Sequence, residues 1–542
     1  MSNIKIPKKL FEKEIGKLND KMKHKISMFG TPLESIEENE IELEIFPDRP
    51  DLLSYQGFKR GFLAFLGKKT GLKQYKINKP EKDYSIKIDS SVKKIWPYAV
   101  CAIVKGLKFD DEKIKEVVDI QEKLTTTIGR NRKKLGLGIY PLDKIKLPLT
   151  YKALEPDKIK FIPLEMEREL SGLQILQRHP TGREYAHLLS GKSKFPIFID
   201  SENQILSMPP IINSHLTGKI TENTKDVFVE CTGTDLNIIQ KALNIFVTAL
   251  AEMGGKVYQM AIKEKKSFTT PNLMPEKEKI SIENTNKLLG LNLSEKDIKK
   301  LLEKMGHNYN KGNVEIAAWR TDILHEVDLI EDVAIAYGYD NFIPEIPEIA
   351  TIGKENPNET TKRKIAEILS GLGLIEVSNY HLTNKKDQFT RMGFSEKQEK
   401  GFIEVEKSKT DYNILRKNLT HYILKNLSEN VDAEYPQRIF EIGKVFSSSS
   451  ENEKEKLCIA ISPGNFTELK QILEYLFKML DKKIILEEAD KFPKWFIDGR
   501  TAKIRLENKD IGFIGEIHPR ILKNWRIKMP VALLEIDLQE II

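Results

Sequence analysis

The chain has 542 residues, 40% of them apolar and 31% charged, which suits about three to four globular domains. Lys and Arg outnumber Asp and Glu by only 87 to 80, too small an excess on so long a chain to predict nucleic-acid binding by itself. Cys101, Cys231 and Cys458 are isolated, without a CxxC pair, which argues against a disulfide framework or a Cys-type zinc site and fits a reducing, cytoplasmic setting. The N-terminal residues lack a signal-peptide core, and no run approaches the roughly 18 apolar residues of a membrane span, so no membrane contact is expected.

In chain order, IELEIF (41–46) alternates like a half-buried strand, and GFKRGFLAFLG (57–67) reads as an apolar helix. The polar stretch 68–84 follows as a surface crossing. FPIFID (195–200) and DVFVE (226–230) read as strands. The segment 236–255 has apolar residues at helical spacing, with Thr234 or Asp235 as N-cap and Gly254-Gly255 as a stop. The charged stretch 263–279 reads as an aperiodic linker. Residues 293–307 read as a helix capped by Ser294 with Asp297 three residues on, burying Ile298, Leu301, Leu302 and Met305. The Pro-rich stretch 343–361 should be extended. These breaks predict an α+β multidomain protein divided at about 1–88, 89–265, 270–346 and 355–542. Neither a GxxxxGK[ST] loop nor a strand–GxGxxG–helix unit is present, which argues against Walker-type and Rossmann nucleotide binding.

Two constellations carry candidate chemistry. Asp328, Glu331 and Asp332 are spaced i, i+3, i+4 on a helix predicted from about Val327, so they share one face, and Asp322 lies just upstream. Clustered carboxylates suit Mg²⁺, while acids in a first helical turn also simply complement the helix dipole. In the second, Ser207, Asn213, Ser214, Glu230, Thr232 and Thr234 could line a polar pocket, against the alternative of a turn and a helix cap. No GxSxG elbow is present, and His179, His187 and His215 are not at a diagnostic spacing, which argues against a Ser hydrolase; His187 is expected to pack on a helix.

Several segments together resemble the phenylalanyl-tRNA synthetase β subunit of the archaeal and eukaryotic type. EIFPDRPDLLSYQGFKRGFLAFLG resembles its N-terminal signature. QEKLTTTIGRNRKKLGLGIYPLDKIK, HPTGREYAHLL, ILSMPPIINS and FVECTGTD resemble its central domain. RTDILHEVDLIEDVAIAYGYDN resembles its small magnesium-binding domain, and the segments 415–446 and 511–538 resemble its C-terminal domain. The resemblance implies a central tRNA-editing domain, a winged-helix-like magnesium-binding domain and a non-catalytic class II synthetase-like antiparallel sheet. It implies an α₂β₂ ligase in which the α subunit binds phenylalanine and ATP and charges tRNA(Phe). It places Mg²⁺ on Asp322, Asp328, Glu331 and Asp332. It also places an editing pocket for mischarged Tyr-tRNA(Phe) on Ser207, Glu230 and Thr232, with Phe198 as a wall. Editing has a physical motive, since an apolar pocket rejects one added hydroxyl only about 10²-fold. Arg438 and Glu441 sit where catalytic relatives bind ATP, Arg520 follows a degraded glycine motif, GFIGEIHPR, and all three are expected to be structural here. Thr125 stands where relatives often carry His, and Phe46 where a polar residue is common; neither is an expected site residue. Two other readings are a free-standing trans-editing hydrolase and a non-enzymatic RNA-binding scaffold built on basic runs such as GRNRKK (129–134).

Overall fold

The computed structural model describes residues 2–264, 266–395, 400–406, 408–448 and 453–541. The chain forms two compact units, Met1–Ile346 and Pro347–Ile542, which join inside the Pro-rich stretch.

In the first unit, β1 (Ser2–Pro7), β2 (Leu33–Ile36) and β3 (Glu40–Ile45) form an antiparallel sheet in the order β1-β3-β2. Strand β3 alternates as its sequence does, with Ile41, Leu43 and Ile45 buried. Helices α1 (Lys8–Glu14), α2 (Asp20–Met28) and α3 (Tyr55–Phe65) accompany it. Ser54 caps α3 by accepting the Gly57 N–H, and the buried Phe58 and Phe62 rings stack at 5.1 Å.

A large sheet follows. Its strands are β4 (Ile77–Asn78), β5 (Ser85–Ile88), β6 (Tyr98–Lys105), β7 (Leu135–Pro141) and β8 (Leu149–Leu154). After the ribbon of β9 (Lys160–Phe161) and β10 (Leu170–Ser171) it adds β11 (Phe195–Ile199), β12 (Ile205–Met208), β13 (Ile212–Asn213), β14 (Val227–Gly233), β15 (Lys256–Lys263) and β16 (Phe268–Thr270). The main path runs β13-β12-β11-β8-β5-β15-β6-β14-β7, with β4 and β16 pairing on β15. Strands β4 and β5 precede residue 89, so this sheet draws on chain from the expected first segment. Strand β16 corrects the reading of 263–279 as aperiodic. The Thr270 hydroxyl donates to the Cys101 carbonyl and accepts its N–H, fixing β16 to β6. Helices α4 (Asp111–Thr126) and α7 (Leu236–Glu252) cover the sheet, while α5 (Gly172–Arg178) and α6 (Pro180–Tyr185) lie beside β10. Asp235 is the N-cap of α7, accepting the N–H groups of Asn237 and Ile238. His187, expected to pack, is exposed instead, because its segment closes as a single tight turn, Ala186–Leu188.

Strands β17 (Glu276–Lys279), β18 (Asn308–Asn310) and β19 (Asn313–Ile316) form a small antiparallel sheet. It carries α8 (Ile282–Leu289), α9 (Glu295–Lys304) and α10 (Glu326–Tyr337). Ser294 and Asp297 make the predicted reciprocal cap of α9. One continuous apolar core runs from Phe58 through Val104 and Phe246 to Leu302 and Leu329.

The second unit is a seven-stranded sheet in the order 375–376, 437–446, 453–462, 532–537, 509–517, 496–506, 484–488, antiparallel except at its first pair. Strand Glu453–Ser462 explains its nearly unbroken apolar run, LCIAIS. Leu457, Ile459 and Ile461 pack in one core, while Cys458 and Ala460 pack in another on the opposite face. Arg416 and Glu441 form a buried ion pair at 2.6 Å, and Arg438 pairs with Glu468 at 2.7 Å. Arg520 is exposed in the first turn of Pro519–Trp525.

Candidate functional site

The two ends of the large sheet meet through side chains. The Tyr140 hydroxyl, on β7, lies 2.9 Å from Asn213 Oδ1 on β13 and 3.1 Å from Glu230 Oε1 on β14. Beside this junction is a cavity of roughly 130 Å³. Its walls include Gln121, Thr125, Arg132, Gly136, Asn213 and Glu230. Glu230 and Thr232 are two residues apart on β14 and so share a face. Opposite them on β7 stand Gly138 and Gly136, and a Cβ at Gly138 would lie 2.8 Å from Glu230 Oε1 and 2.4 Å from the Tyr140 hydroxyl. The glycines leave the space that the acid and the tyrosine use.

Among the described residues, four buried polar atoms here have no hydrogen-bond partner: Ser207 Oγ, Glu230 Oε2, Thr232 Oγ1 and, on the wall itself, Arg132 Nε. Ser207 lies beside the Tyr140 hydroxyl without making a hydrogen bond of adequate geometry. Buried polar atoms are normally paired, and several orphans in one place mark a ligand or water site. Burial pushes the Glu230 carboxyl up to about 8, against the opposing hydrogen bond from Tyr140. Glu230 is therefore mostly a neutral acid at pH 7. Phe198 is fully buried, stacked on Tyr151 at 4.8 Å and across from Ser207 in the strand register. Phe198 is absent from the cavity wall, and so are Ser207 and Thr232; of the four expected editing residues only Glu230 lines the cavity. Thr234 donates its N–H to the Lys134 carbonyl, and Ser214 bridges to Pro163, so neither faces the cavity. Spacing missed Gln121, Arg132, Tyr140 and the two glycines; alternating glycines in LGLGIYP were the available signal. Thr125, where relatives often carry His, lines the cavity, contrary to the expectation that it stands apart from the site.

The acidic cluster is arranged differently from its spacing. Asp322 and Asp332 both bind Arg320, at 2.6 and 2.9 Å, and Asp332 also meets His307 at 2.7 Å. Burial alone would raise the Asp332 carboxyl, but the Arg320 charge and His307 outweigh it and hold the carboxyl low. Burial lowers His307. Asp328 Oδ2 accepts the N–H groups of Leu324 and His325, capping α10, and Glu331 accepts the Tyr339 hydroxyl at 2.6 Å. Magnesium needs several hard oxygens aimed at one point. Among the described residues no group of three or more His, Cys, Asp or Glu side chains is placed to hold a metal ion. The four acids as placed do not fit a Mg²⁺ site made by this chain alone, because Arg320 holds Asp322 and Asp332, the helix end holds Asp328 and Tyr339 holds Glu331, so their oxygens are not aimed at one point.

Residues 343–538 match the family described as the phenylalanyl tRNA synthetase beta chain CLM domain, and residues 278–339 match the tRNA synthetase B5 domain. The phenylalanine–tRNA ligase beta subunit of Thermococcus sibiricus is 41% identical over 505 residues, covering 91% of this chain and 89% of that one. The chain belongs to the family of phenylalanine–tRNA ligase beta subunits. The beta subunit of Archaeoglobus fulgidus is 37% identical over 533 residues, covering 97% of this chain and 96% of its own. A crystal structure of an N-terminal fragment of the Pyrococcus horikoshii beta subunit superposes with a TM-score of 0.59 at 37% identity, covering 62% of this chain and 99% of the fragment. The B5 match encloses all four acids of the cluster, whereas the cavity lies N-terminal to both matched beta-subunit domains.

Proposed function

We propose that this beta subunit works in an α₂β₂ assembly, in the cytoplasm, whose α chain binds phenylalanine and ATP and charges tRNA(Phe). Residues 89–265 hydrolyse mischarged Tyr-tRNA(Phe). The observation that carries the reading is the convergence of three orphaned polar atoms, on Ser207, Glu230 and Thr232, beside a cavity of side-chain size. A neutral Glu230 recognises the phenol by exchanging hydrogen bonds with it, and a phenylalanine side chain leaves Glu230 unpaired. That asymmetry is the kind that discriminates strongly. Ser207 and Thr232 hydroxyls orient a water against the ester carbonyl. The water oxygen bonds to that carbon, the ester C–O bond breaks, one water proton passes to the departing ribose oxygen and the other is released from the new carboxyl, and tyrosine and tRNA leave.

The second unit supplies structure in this reading, a class II synthetase-like sheet without catalysis, since Arg438 and Glu441 are engaged internally. Magnesium enters only through the α partner. With Arg320 neutralising Asp322 and Asp332, an ion at this cluster would need donors from α. The chain alone is expected to show no Mg²⁺ uptake at these acids by titration calorimetry, and Asp328→Ala to leave that trace unchanged.

The decisive experiment compares deacylation of Tyr-tRNA(Phe) and Phe-tRNA(Phe) by the chain mixed with α. Thr232→Val and Ser207→Ala should each slow Tyr-tRNA(Phe) hydrolysis by about 10²-fold, as loss of one positioned hydrogen bond does, with charging intact. Hydrolysis unaffected by both changes would move the activity elsewhere and favour an RNA-binding scaffold.

A further inference from the structure

The cavity of roughly 130 Å³ holds an amino-acid side chain and little more, so any polynucleotide attached to that amino acid must run across its rim. The turn between α4 and β7, residues 127–134, reaches the cavity through Arg132, which is part of its wall. Its sequence, GRNRKK over 129–134, has four cations in six residues. Basic runs are commonly no more than solvated surface, but this one is built. Arg130, Asn131 and Arg132 take positive φ in succession, at 50°, 52° and 60°. Three consecutive non-glycine residues in the left-handed region are costly and persist only where surrounding structure fixes them.

Here the fixing is visible. The N–H groups of Gly129, Asn131 and Arg132 return to the carbonyls of Leu124, Thr126 and Thr125 at the end of α4, and Lys134 N–H reaches Gly129. The Arg132 side chain turns inward, donating to the Ile211 carbonyl at 2.9 Å and to Glu122 at 2.8 Å, with its guanidinium over the Tyr185 ring. That anchor ties the turn to both walls of the cavity. The Lys134 carbonyl accepts from Thr234, two residues beyond Thr232. Arg130 and Lys133 are left exposed, and among the described residues no carboxylate pairs with either.

We propose that Arg130 and Lys133 form the landing site for the phosphates of the RNA 3′ end, holding the backbone at the rim while the terminal aminoacyl group enters the cavity. The proposal rests on the hydrolytic reading above. A rigid turn suits the task, because a backbone already fixed leaves only the two side chains to be ordered when phosphates dock. The contact is electrostatic and blind to sequence, as phosphate contacts are.

The test is equilibrium binding of the full chain to an uncharged RNA hairpin with a single-stranded CCA 3′ end, followed against salt. The double variant R130N/K133A removes both charges, and Asn tolerates the left-handed backbone. Each phosphate contact on single strands contributes about 0.7 to the salt slope, so the slope should fall by about 1.4 and affinity by roughly 10- to 30-fold near 0.1 M salt. R130K/K133R keeps the charges and should bind like the parent, which separates charge from misfolding. Unchanged slope and affinity in R130N/K133A would overturn the proposal. So would equal loss in R130K/K133R. The measurement needs no hydrolysis. Absent Tyr-tRNA(Phe) deacylation by the parent therefore defeats the hydrolytic reading alone, while an unchanged slope defeats the rim alone.

Discussion

Glu230 shows how much one buried group can set. Its carboxyl is pushed up to about 8 by burial, with no cation among the causes. Between about pH 4.5 and 8 the unfolded chain has released this proton and the folded chain has kept it. The folded state binds more protons there, so this group's contribution makes stability fall as pH rises through that window. Glu230→Gln keeps the shape of the neutral acid and removes the titration. The melting temperature of the variant relative to the parent should therefore rise from pH 5 to pH 8.5, and a constant difference would contradict burial as an acid. In the hydrolytic reading, parental Tyr-tRNA(Phe) deacylation declines above about pH 8 and the Gln variant's does not. Arg320 is the reverse case, a buried cation on which the buried Asp332 and the half-buried Asp322 depend. Arg320→Leu leaves Asp332 without its charge partner and should cost about 3–5 kcal/mol in denaturant unfolding, the usual scale for breaking a buried pair.

Among the elements, β7 is the most exacting. Its glycines give Glu230 and Tyr140 their space, so Gly138→Ala, whose Cβ would meet both, should cost about 1–3 kcal/mol and suppress deacylation. Gly136→Ala meets only contacts of 3.0–3.1 Å, to Pro210 and Thr232, and should do less. Chemical unfolding of the two variants checks the order. Elements with strong local signals were legible in the sequence. The α9 cap rests on Ser294 and Asp297 alone, α7 on a long apolar helical period, β3 on strict alternation. What escaped was whatever depends on distant pairing. The short strands β4 and β16 have too few residues for a period and are held by β15. The cavity wall assembles from α4, β7, β13 and β14, which no local pattern links. In the acidic cluster, spacing correctly put three acids on one helix, but only Asp332 meets a cation, the Arg320 guanidinium on the preceding segment, while Asp328 caps the helix and Glu331 accepts from Tyr339. Spacing reads faces well and counter-ions poorly.

For the whole molecule, the apolar cores divide as the chain does. Every buried residue of three core clusters falls between Ile4 and Ala336, and every one of the other two between Ile365 and Ile541. No cluster needs residues from both units. The entire candidate cavity and the turn at 127–134 that reaches it through Arg132 lie in the first unit. A chain cut in the extended stretch after Ile346 therefore keeps every contact that shapes the pocket and loses no core. Residues 1–346 should fold alone, melt cooperatively and deacylate Tyr-tRNA(Phe) when supplied with the RNA. They should support no charging with α, which in the proposed assembly needs the second unit. Circular dichroism melting and a deacylation assay on the fragment check both halves. A fragment that folds yet fails to hydrolyse would show that the pocket depends on the rest of the assembly. A fragment that fails to fold would show that the first unit draws stability from surfaces its own cores do not account for.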